Sequence, residues 1–511
     1  MISDNSTPIT INPTTSQRQE NLFEELIKIC VETFCNSEEL KRMVSGEPNA
    51  LELRRCGIPI LNLLLQLSNF IRCYRWQETD YFRGLEGRDL YPLILRRLDD
   101  LIIFAKEKFY AFPFQDVPNC WRHLFWEASL LKFSALLIGR FNVSPDFQLT
   151  TDDLDEMIKT IDMAYIMAGS LVLGSHTSKI NLAMDILQQI FNAPSPNILT
   201  EGNKRPDFRL TENLYDTFSN SSGFIPPVAR AVPKMDKISY FAFEKHINHP
   251  SDLQIGPEPL IITGTLSHWP ALTNHPWNSP SYLLSRTVGG KRLVPIEFGR
   301  SYVDEGWGQK IISFKEFLET YIMIEPSLGG QSTGYLAQHN LFSQIPLLRN
   351  DVAIPDYCYA SAPPPHKTSP LADRHSQVSR LEEPLLNAWF GPPGTITPLH
   401  TDPYHNILAQ VVGRKYVRLY APRESEKLYP RGVEDGGIDM SNTSSVDIGN
   451  LAGWDGSKEK QENAHKRFPL FAEAEFVDCI LEAGDCLYIP LGWWHYVRGL
   501  SISFSVSFWF N

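Results

Sequence analysis

Residues 391–422 read GPPGTITPLHTDPYHNILAQVVGRKYVRLYAP. Two runs rich in β-branched and aromatic residues, HNILAQVV (405–412) and KYVRLYAP (415–422), flank Gly413-Arg414, which is the pattern of a hairpin. Outward from it, the same texture recurs at PLIITGTL (259–266), KRLVPIEF (291–298), CILEAGDCLYIP (479–490, turning at Gly484-Asp485) and SISFSVSFWF (501–510). Helices are expected to interrupt at Ser279–Val288 and Ser313–Ile322. Many short strands joined by tight turns predict a double-stranded β-helix, or jelly-roll barrel, over residues 238–511.

Upstream the texture is helical. In Leu22–Phe34 the apolar residues Leu22, Leu26, Ile29, Cys30 and Phe34 fall on one helical face. Thr151, followed by Asp152, Asp153, Asp155 and Glu156, reads as a capped helix start, with Gly174 as its stop. Further helices are expected in Ile58–Trp76, Leu90–Phe109, Trp121–Gly139 and Lys179–Phe191. The expected organisation is a disordered tail (1–17), a helical domain (18–192), a Pro/Ser/Gly-rich linker (193–237) and the β-domain (238–511), an α+β two-domain chain. The linker's basic patch Lys204–Arg209 reads as solvated chain, with a weak docking signal as the sharper alternative.

The composition narrows the function classes. Of 511 residues, 43% are hydrophobic and 21% charged, as in ordinary globular proteins. Lys plus Arg (47) against Asp plus Glu (59) leaves a net charge of −12, which disfavours gripping nucleic acid by charge alone. The most apolar stretches, Gly57–Ile71 and Ile161–Gly174, are short and broken by polar residues, so no membrane span is expected. The first seventeen residues lack the basic and apolar regions of a secretory signal. Eight cysteines without a C-x-x-C pair suggest reduced thiols and an intracellular protein.

Three residues carry the chemistry. On a strand, residues i and i+2 share a face, so His400 and Asp402 are expected to project together into the barrel. His495, in IPLGWWHYV near the end of another strand, is the third member. Two imidazoles and a carboxylate on one face of a metal leave positions open, the ligand set of non-haem Fe(II) oxygenases. Lys415 alternates onto the apolar face of Val417 and Leu419, where an ammonium needs a negative partner or an escape to water. Asn406 is placed on the face of Asp402. Ser501, Ser503, Ser505 and Ser507 alternate with apolar residues, the ordinary sign of a half-exposed strand; the sharper reading is a barrel wall that leaves room for a ligand.

The runs NAWFGPPGTITPLHTDPYHNILAQVVGRKYVRLYAP and GDCLYIPLGWWHYVRGLSISFSVSFWF resemble the jumonji-C oxygenases, cupin-type enzymes that use Fe(II), 2-oxoglutarate and O2. The resemblance covers residues 238–511 and is closest to the branch called jumonji-domain-containing protein five, or lysine demethylase eight. It implies that His400, Asp402 and His495 bind Fe(II). It also implies that Lys415 pairs with the distal carboxylate of 2-oxoglutarate, helped by Tyr335 and Thr397, with Asn406, Trp389 and Trp509 lining or closing that pocket. Glu297, Trp307 and Gln338 fall where the branch receives a substrate side chain. The implied reaction couples oxidation of 2-oxoglutarate to succinate and CO2 with oxidation of a protein or peptide. Attack on an arginyl side-chain carbon gives a stable alcohol, whereas attack on an N-methyl-lysine releases formaldehyde and demethylates. The protein-hydroxylase outcome is the expected one, in the nucleus or cytoplasm, without direct nucleic-acid or membrane binding, the helical half offering a protein-interaction surface.

Three departures from the branch bear on this. Tyr404-His405 stands where a more amide-rich pair is expected and could alter the outer metal shell. Ser361–Glu383 and Trp454–Asn463 look like added sequence able to reshape the substrate mouth. Two rival readings are an inactive barrel used as an interaction scaffold and a small-metabolite cupin. The intact triad argues against the first and Lys415 against the second.

Overall fold

The computed structural model describes residues 15–36, 40, 51–76, 90–112, 116–143, 149–169, 177–192, 198–199, 217–303, 306–324, 333–434 and 437–511. The chain forms two compact units, Met1–Phe208 with Thr287–Leu293, and Arg209–Arg286 with Val294–Asn511. The basic patch at Lys204–Arg209 lies outside the described residues, as do residues 1–14 of the expected tail.

The first unit is helical, with its main helices at Thr15–Ile29, Ile58–Trp76, Tyr91–Phe109, Asn119–Val143, Thr151–Ala168 and Thr177–Asn192. Two short strands, β1 (Leu149–Thr150) and β2 (Ile198–Leu199), pair in parallel. Leu124, Phe125, Trp126, Leu130, Leu131 and Phe133 are buried around Asn119–Val143, as expected of a central helix. The helix start at 151 is capped by Thr150: its hydroxyl accepts from the Asp153 amide while the Asp153 carboxylate accepts from the Thr150 amide. The helix stops at Gly169 (φ +76°), a conformation glycine adopts without strain, sooner than the expected Gly174, which lies outside the described residues. Asp162, which breaks an apolar stretch of sequence, is fully buried and takes a two-pronged ion pair from Arg292. Beside it, the Val288 amide donates to the Gln188 side chain, and Gly289 lies so close to the Phe191 ring that a Cβ would collide with it.

The second unit contains β3 (Lys234–Asp236), β4 (Leu260–Thr263), β5 (Leu293–Phe298), β6 (Gly308–Ser313), β7 (Gly334–His339), β8 (Leu385–Gly391), β9 (Ile396–His400), β10 (His405–Val412), β11 (Lys415–Tyr420), β12 (Phe476–Leu481), β13 (Cys486–Ile489), β14 (Trp494–Gly499) and β15 (Ser503–Phe510). They form a nine-stranded sheet ordered β3-β4-β13-β10-β15-β8-β7-β5-β6 and a four-stranded sheet ordered β12-β11-β14-β9. From β8 to β15 the chain passes repeatedly between the two sheets, which is the double-stranded β-helix. Leu408, Leu487 and Ile489 of the large sheet meet Val417, Leu419 and Val497 of the small one in a shared core. The outer face of the large sheet, including Ile407, Val411, Phe504 and Phe508, packs with Phe243, Leu283 and Phe314 from flanking helices. The hairpin at Gly413 (φ +68°) needs glycine, because a Cβ there would strike the Ile502 carbonyl.

Part of the expected linker is structural in this unit. The amides of Ala229 and Arg230 donate to the Asp478 carboxylate, and β3 pairs in parallel with β4. The eight cysteines are free and buried. Among the described residues no helix is long and apolar enough to cross a membrane.

Candidate metal and co-substrate site

The site lies between the two sheets. His400 ends β9 and His495 sits on β14; the two are register partners across the antiparallel pair. A bulge between His495 and Val497 lets three steps of β9, Thr397 to His400, match two of β14. That phase shift turns both Thr397 and His400 inward, the usual effect of a bulge near a site. Asp402 is not on a strand. It follows β9 in the 401–404 turn, so the two-residue alternation expected from the sequence is replaced by a turn that reaches the same place.

His400 Nε2 lies 3.6 Å and His495 Nε2 3.5 Å from the two Asp402 carboxylate oxygens. One ligand atom from each residue lies within 4.8 Å of the others, a spacing at which the three could hold one metal ion. Each imidazole donates its Nδ1–H to a backbone carbonyl, His400 to Pro398 (2.8 Å) and His495 to Trp493 (3.1 Å), which leaves both Nε2 atoms bare for a metal. Burial, with His495 alongside, pushes the His400 pKa down to about 4, so the ring is neutral, as a ligand must be. Burial alone would raise Asp402, but His495, His400 and the Asn406 amide together hold it below the usual carboxylate range.

A small pocket opens from these residues, lined also by Tyr335, Trp389, Thr397, Asn406, Leu408, Lys415, Ile489 and Val497. Lys415 starts β11 on the inner face and is 2% exposed, so it does not reach water as a hairpin-end lysine would. Its Nζ donates to the Tyr335 hydroxyl at 3.4 Å, and among the described residues no carboxylate pairs with it. Burial lowers the Lys415 pKa to about 7. Asn406 Oδ1 and Trp509 Nε1, on neighbouring β10 and β15 residues in register, are buried without a partner. An ammonium without a counter-ion and the orphaned Trp509 N–H are donors that an anionic, oxygen-rich ligand such as 2-oxoglutarate satisfies, whereas the Asn406 oxygen calls for a donor such as water.

The other expected residues separate. Trp389 lies in the cavity wall, its indole N–H donating to Ser507 (3.0 Å), and Trp509 stacks on Tyr404. Glu297 on β5 pairs in register with Tyr335 and accepts from Trp307 Nε1 at 3.4 Å. Burial raises its pKa, opposed by the bonds from Trp307 and Gln309. Gln338 sits exposed at an irregularity of β7 with φ +47°, and the structure does not bring it into hydrogen-bond contact with Glu297 or Trp307.

Several features differ from the reading of the sequence. The β15 serines are fully buried rather than half-exposed: Ser505 donates to Gln410 (2.7 Å), and Ser507 holds Trp389. His405 is no outer-shell residue of the metal site. Its Nδ1 bonds the Tyr488 hydroxyl, and its Nε2 bonds the Pro363 carbonyl. Sequence reasoning missed Tyr302, whose phenol bonds Thr443 and feels the charges of both Asp402 and Glu297. Its only signal was its place five residues beyond Glu297.

A family model described as a cupin-like domain matches residues 249–511. Lysine-specific demethylase 8 of Danio rerio is 35% identical over 421 residues, spanning 82% of this chain and 88% of that protein. The chain belongs to the jumonji-C family. Other jumonji-C relatives match about half of their own length: lysine-specific demethylase JMJ30 of Arabidopsis thaliana (43% over 260 residues, 51% of each chain) and jumonji C domain-containing protein 5 of Drosophila melanogaster (40% over 254 residues, 50% of this chain and 55% of that protein). As a jumonji-C protein, the chain is an Fe(II)- and 2-oxoglutarate-dependent oxygenase.

Proposed function

We propose that this jumonji-C oxygenase hydroxylates an arginyl side chain of a protein or peptide substrate. Fe(II) is held by His400, Asp402 and His495, and 2-oxoglutarate by Lys415, Tyr335 and Thr397, with Asn406, Trp389 and Trp509 around it. When bound, iron and 2-oxoglutarate supply the oxidising chemistry, which consumes O2, releases succinate and CO2 and inserts one oxygen atom into a substrate C–H bond. The chain's own residues bind and orient. The two Nδ1–H bonds fix the imidazoles, Lys415 supplies the countercharge for a carboxylate, and the buried walls of β10, β11 and β15 exclude water.

The observation that carries the arginyl reading is Glu297, a carboxylate with raised pKa, no cation beside it among the described residues, and the Trp307 indole N–H on it. A guanidinium matches a carboxylate with two parallel bonds and stacks on indole faces, whereas an ammonium is a compact point charge. The second reading, N-methyl-lysine demethylation, is favoured by the names of two of the relatives, the lysine-specific demethylases of Danio rerio and Arabidopsis thaliana. Mass spectrometry on arginine- and methyl-lysine-containing peptides separates the two. A gain of one oxygen on arginine without formaldehyde, lost in Glu297→Ala, supports hydroxylation. Stoichiometric formaldehyde from methyl-lysine, with arginine unchanged, overturns it.

A further inference from the structure

Glu297 and Trp307 are joined by the turn of an edge hairpin. β5 and β6 are the last two strands of the large sheet, and β5 holds β7 through two register pairs, Glu297–Tyr335 and Phe298–Gly334. Glycine opens the turn: a Cβ on Gly299 (φ +113°) would stand 3.3 Å from the Trp307 Cα. An edge element with so short a ladder opens locally unless something beyond the sheet holds it.

The next residue supplies that hold. Arg300 donates two-pronged to Asp447 (2.9 and 3.0 Å) and makes a further bond to Asp455 (3.2 Å). Asp455 in turn takes two bonds from Arg498 (2.8 and 3.0 Å), which lies on β14 three residues beyond His495. The two carboxylates and two guanidiniums form one network, and all four side chains are 33% exposed or less. Networked, two-pronged pairs of this kind hold better than isolated surface pairs. Two residues on, Tyr302 bonds Thr443, which pairs with His400 across a β-bridge. The turn is thereby tied at two points to the chain around the metal cluster, with Glu297 at one end and Trp307 at the other. Neither Arg300 nor Asp455 lines the co-substrate pocket.

We propose that the Arg300 ion pairs seat the turn between Glu297 and Trp307 beside the metal cluster, and that Arg300 and Asp455, the latter from the 454–463 stretch, are positioning residues for the substrate. The proposal rests on the reading of Glu297 as the acceptor of the substrate side chain. The test uses the full iron-loaded chain and a pool of synthetic peptides centred on arginine or N-methyl-lysine, scored for both oxygen gain and formaldehyde. With the best of these peptides, Arg300→Gln and Asp455→Asn each lower kcat/KM about 10-fold, since a misplacement of ~1 Å can cost up to ~100-fold. Arg300→Lys, which keeps the charge without the planar fork, recovers part of the loss. The KM for 2-oxoglutarate and the iron content hold. In a Glu297→Ala background Arg300→Gln costs little further, because the two residues act through one contact. Amide exchange over 299–303 quickens in Arg300→Gln while exchange over β9 holds.

An unchanged kcat/KM in Arg300→Gln overturns the proposal, as does a loss that simply adds to that of Glu297→Ala. A loss shared by peptide, 2-oxoglutarate and iron, with a lowered unfolding midpoint, also overturns it and marks a general structural role. If Glu297→Ala itself leaves kcat/KM unchanged, the reading of Glu297 fails and the proposal falls with it. If no peptide in the pool is oxidised by the unaltered protein, the peptide-oxygenase reading falls as well. If the working peptide releases formaldehyde, the arginyl reading fails, while the double-variant comparison with Glu297 still decides the role of Arg300.

Discussion

His400 and His495 face each other across β9 and β14 with ring centroids 4.2 Å apart, each held by a backbone carbonyl two residues upstream. Two imidazoles so placed, with Asp402 closing the third side, have little packing value to lose. His400→Ala and Asp402→Ala therefore abolish iron-dependent 2-oxoglutarate turnover and bound iron while the unfolding midpoint of the metal-free protein changes little. Turnover or metal content unchanged in either variant would remove the assignment.

Lys415 separates co-substrate binding from metal binding. Lys415→Ala raises the 2-oxoglutarate requirement by at least ~10-fold, in line with about 1.5–3 kcal/mol for a hydrogen bond to a charged group, and the iron requirement far less. A titration of turnover against each component checks this.

The same residue sets a pH dependence. Its pKa falls to about 7 in the fold, against ~10.4 in an unfolded chain. Across that window the unfolded chain binds the extra proton, so stability of the ligand-free protein rises with pH there and is lost as pH falls towards 7. 2-Oxoglutarate needs the charged lysine, so its binding takes up a proton above pH 7 and weakens as pH rises. Calorimetry around pH 8 in buffers of different ionisation enthalpy is expected to show uptake in the natural protein and its loss in Lys415→Met.

His405 fastens the 361–383 segment rather than tuning the metal. His405→Leu strands the Tyr488 hydroxyl and the Pro363 carbonyl and is expected to cost about 2 kcal/mol. Amide exchange over 361–371 is expected to quicken while iron affinity holds. A fall in iron affinity without faster exchange would return His405 to the metal's surroundings.

In the helical unit, Asp162→Ala removes the buried carboxylate that the Arg292 guanidinium, 3% exposed, grips with two prongs. Breaking a buried pair from one side costs about 3–5 kcal/mol. Denaturant melts of Asp162→Ala and Arg292→Met compare the two ways of losing it. The second also strips Asp162 of its cation, so both are expected to fall well below the natural protein.

Much of the β-unit was legible because its strands obey alternation. Lys415, Val417 and Leu419 point inward as read, and the 58–76 helix has the bounds its pattern gave. The metal cluster was legible for a partly mistaken reason, since Asp402 reaches the site from a turn and His400 through a bulge, neither of which hydrophobic pattern encodes. The β15 serines misled because alternation reports polarity, not exposure, and here Ser505 and Ser507 find their partners, Gln410 and Trp389, inside the barrel. Tyr302 arrives on irregular chain, where no periodicity points at a partner. The end of the linker was obscured for a similar reason: the bonds from Ala229 and Arg230 to Asp478 span some 248 positions of sequence.

The seven residues Thr287–Leu293 lie in sequence inside the catalytic half yet complete the helical unit. The two units are therefore not separable by a single cut. A fragment beginning near residue 230 takes Arg292 and Val288 with it, leaving the helical remainder with the Asp162 carboxylate facing an empty slot and Gln188 without the amide it accepts from. A boundary that keeps the helical unit whole therefore has to leave it the seven residues Thr287–Leu293 from the middle of the catalytic half.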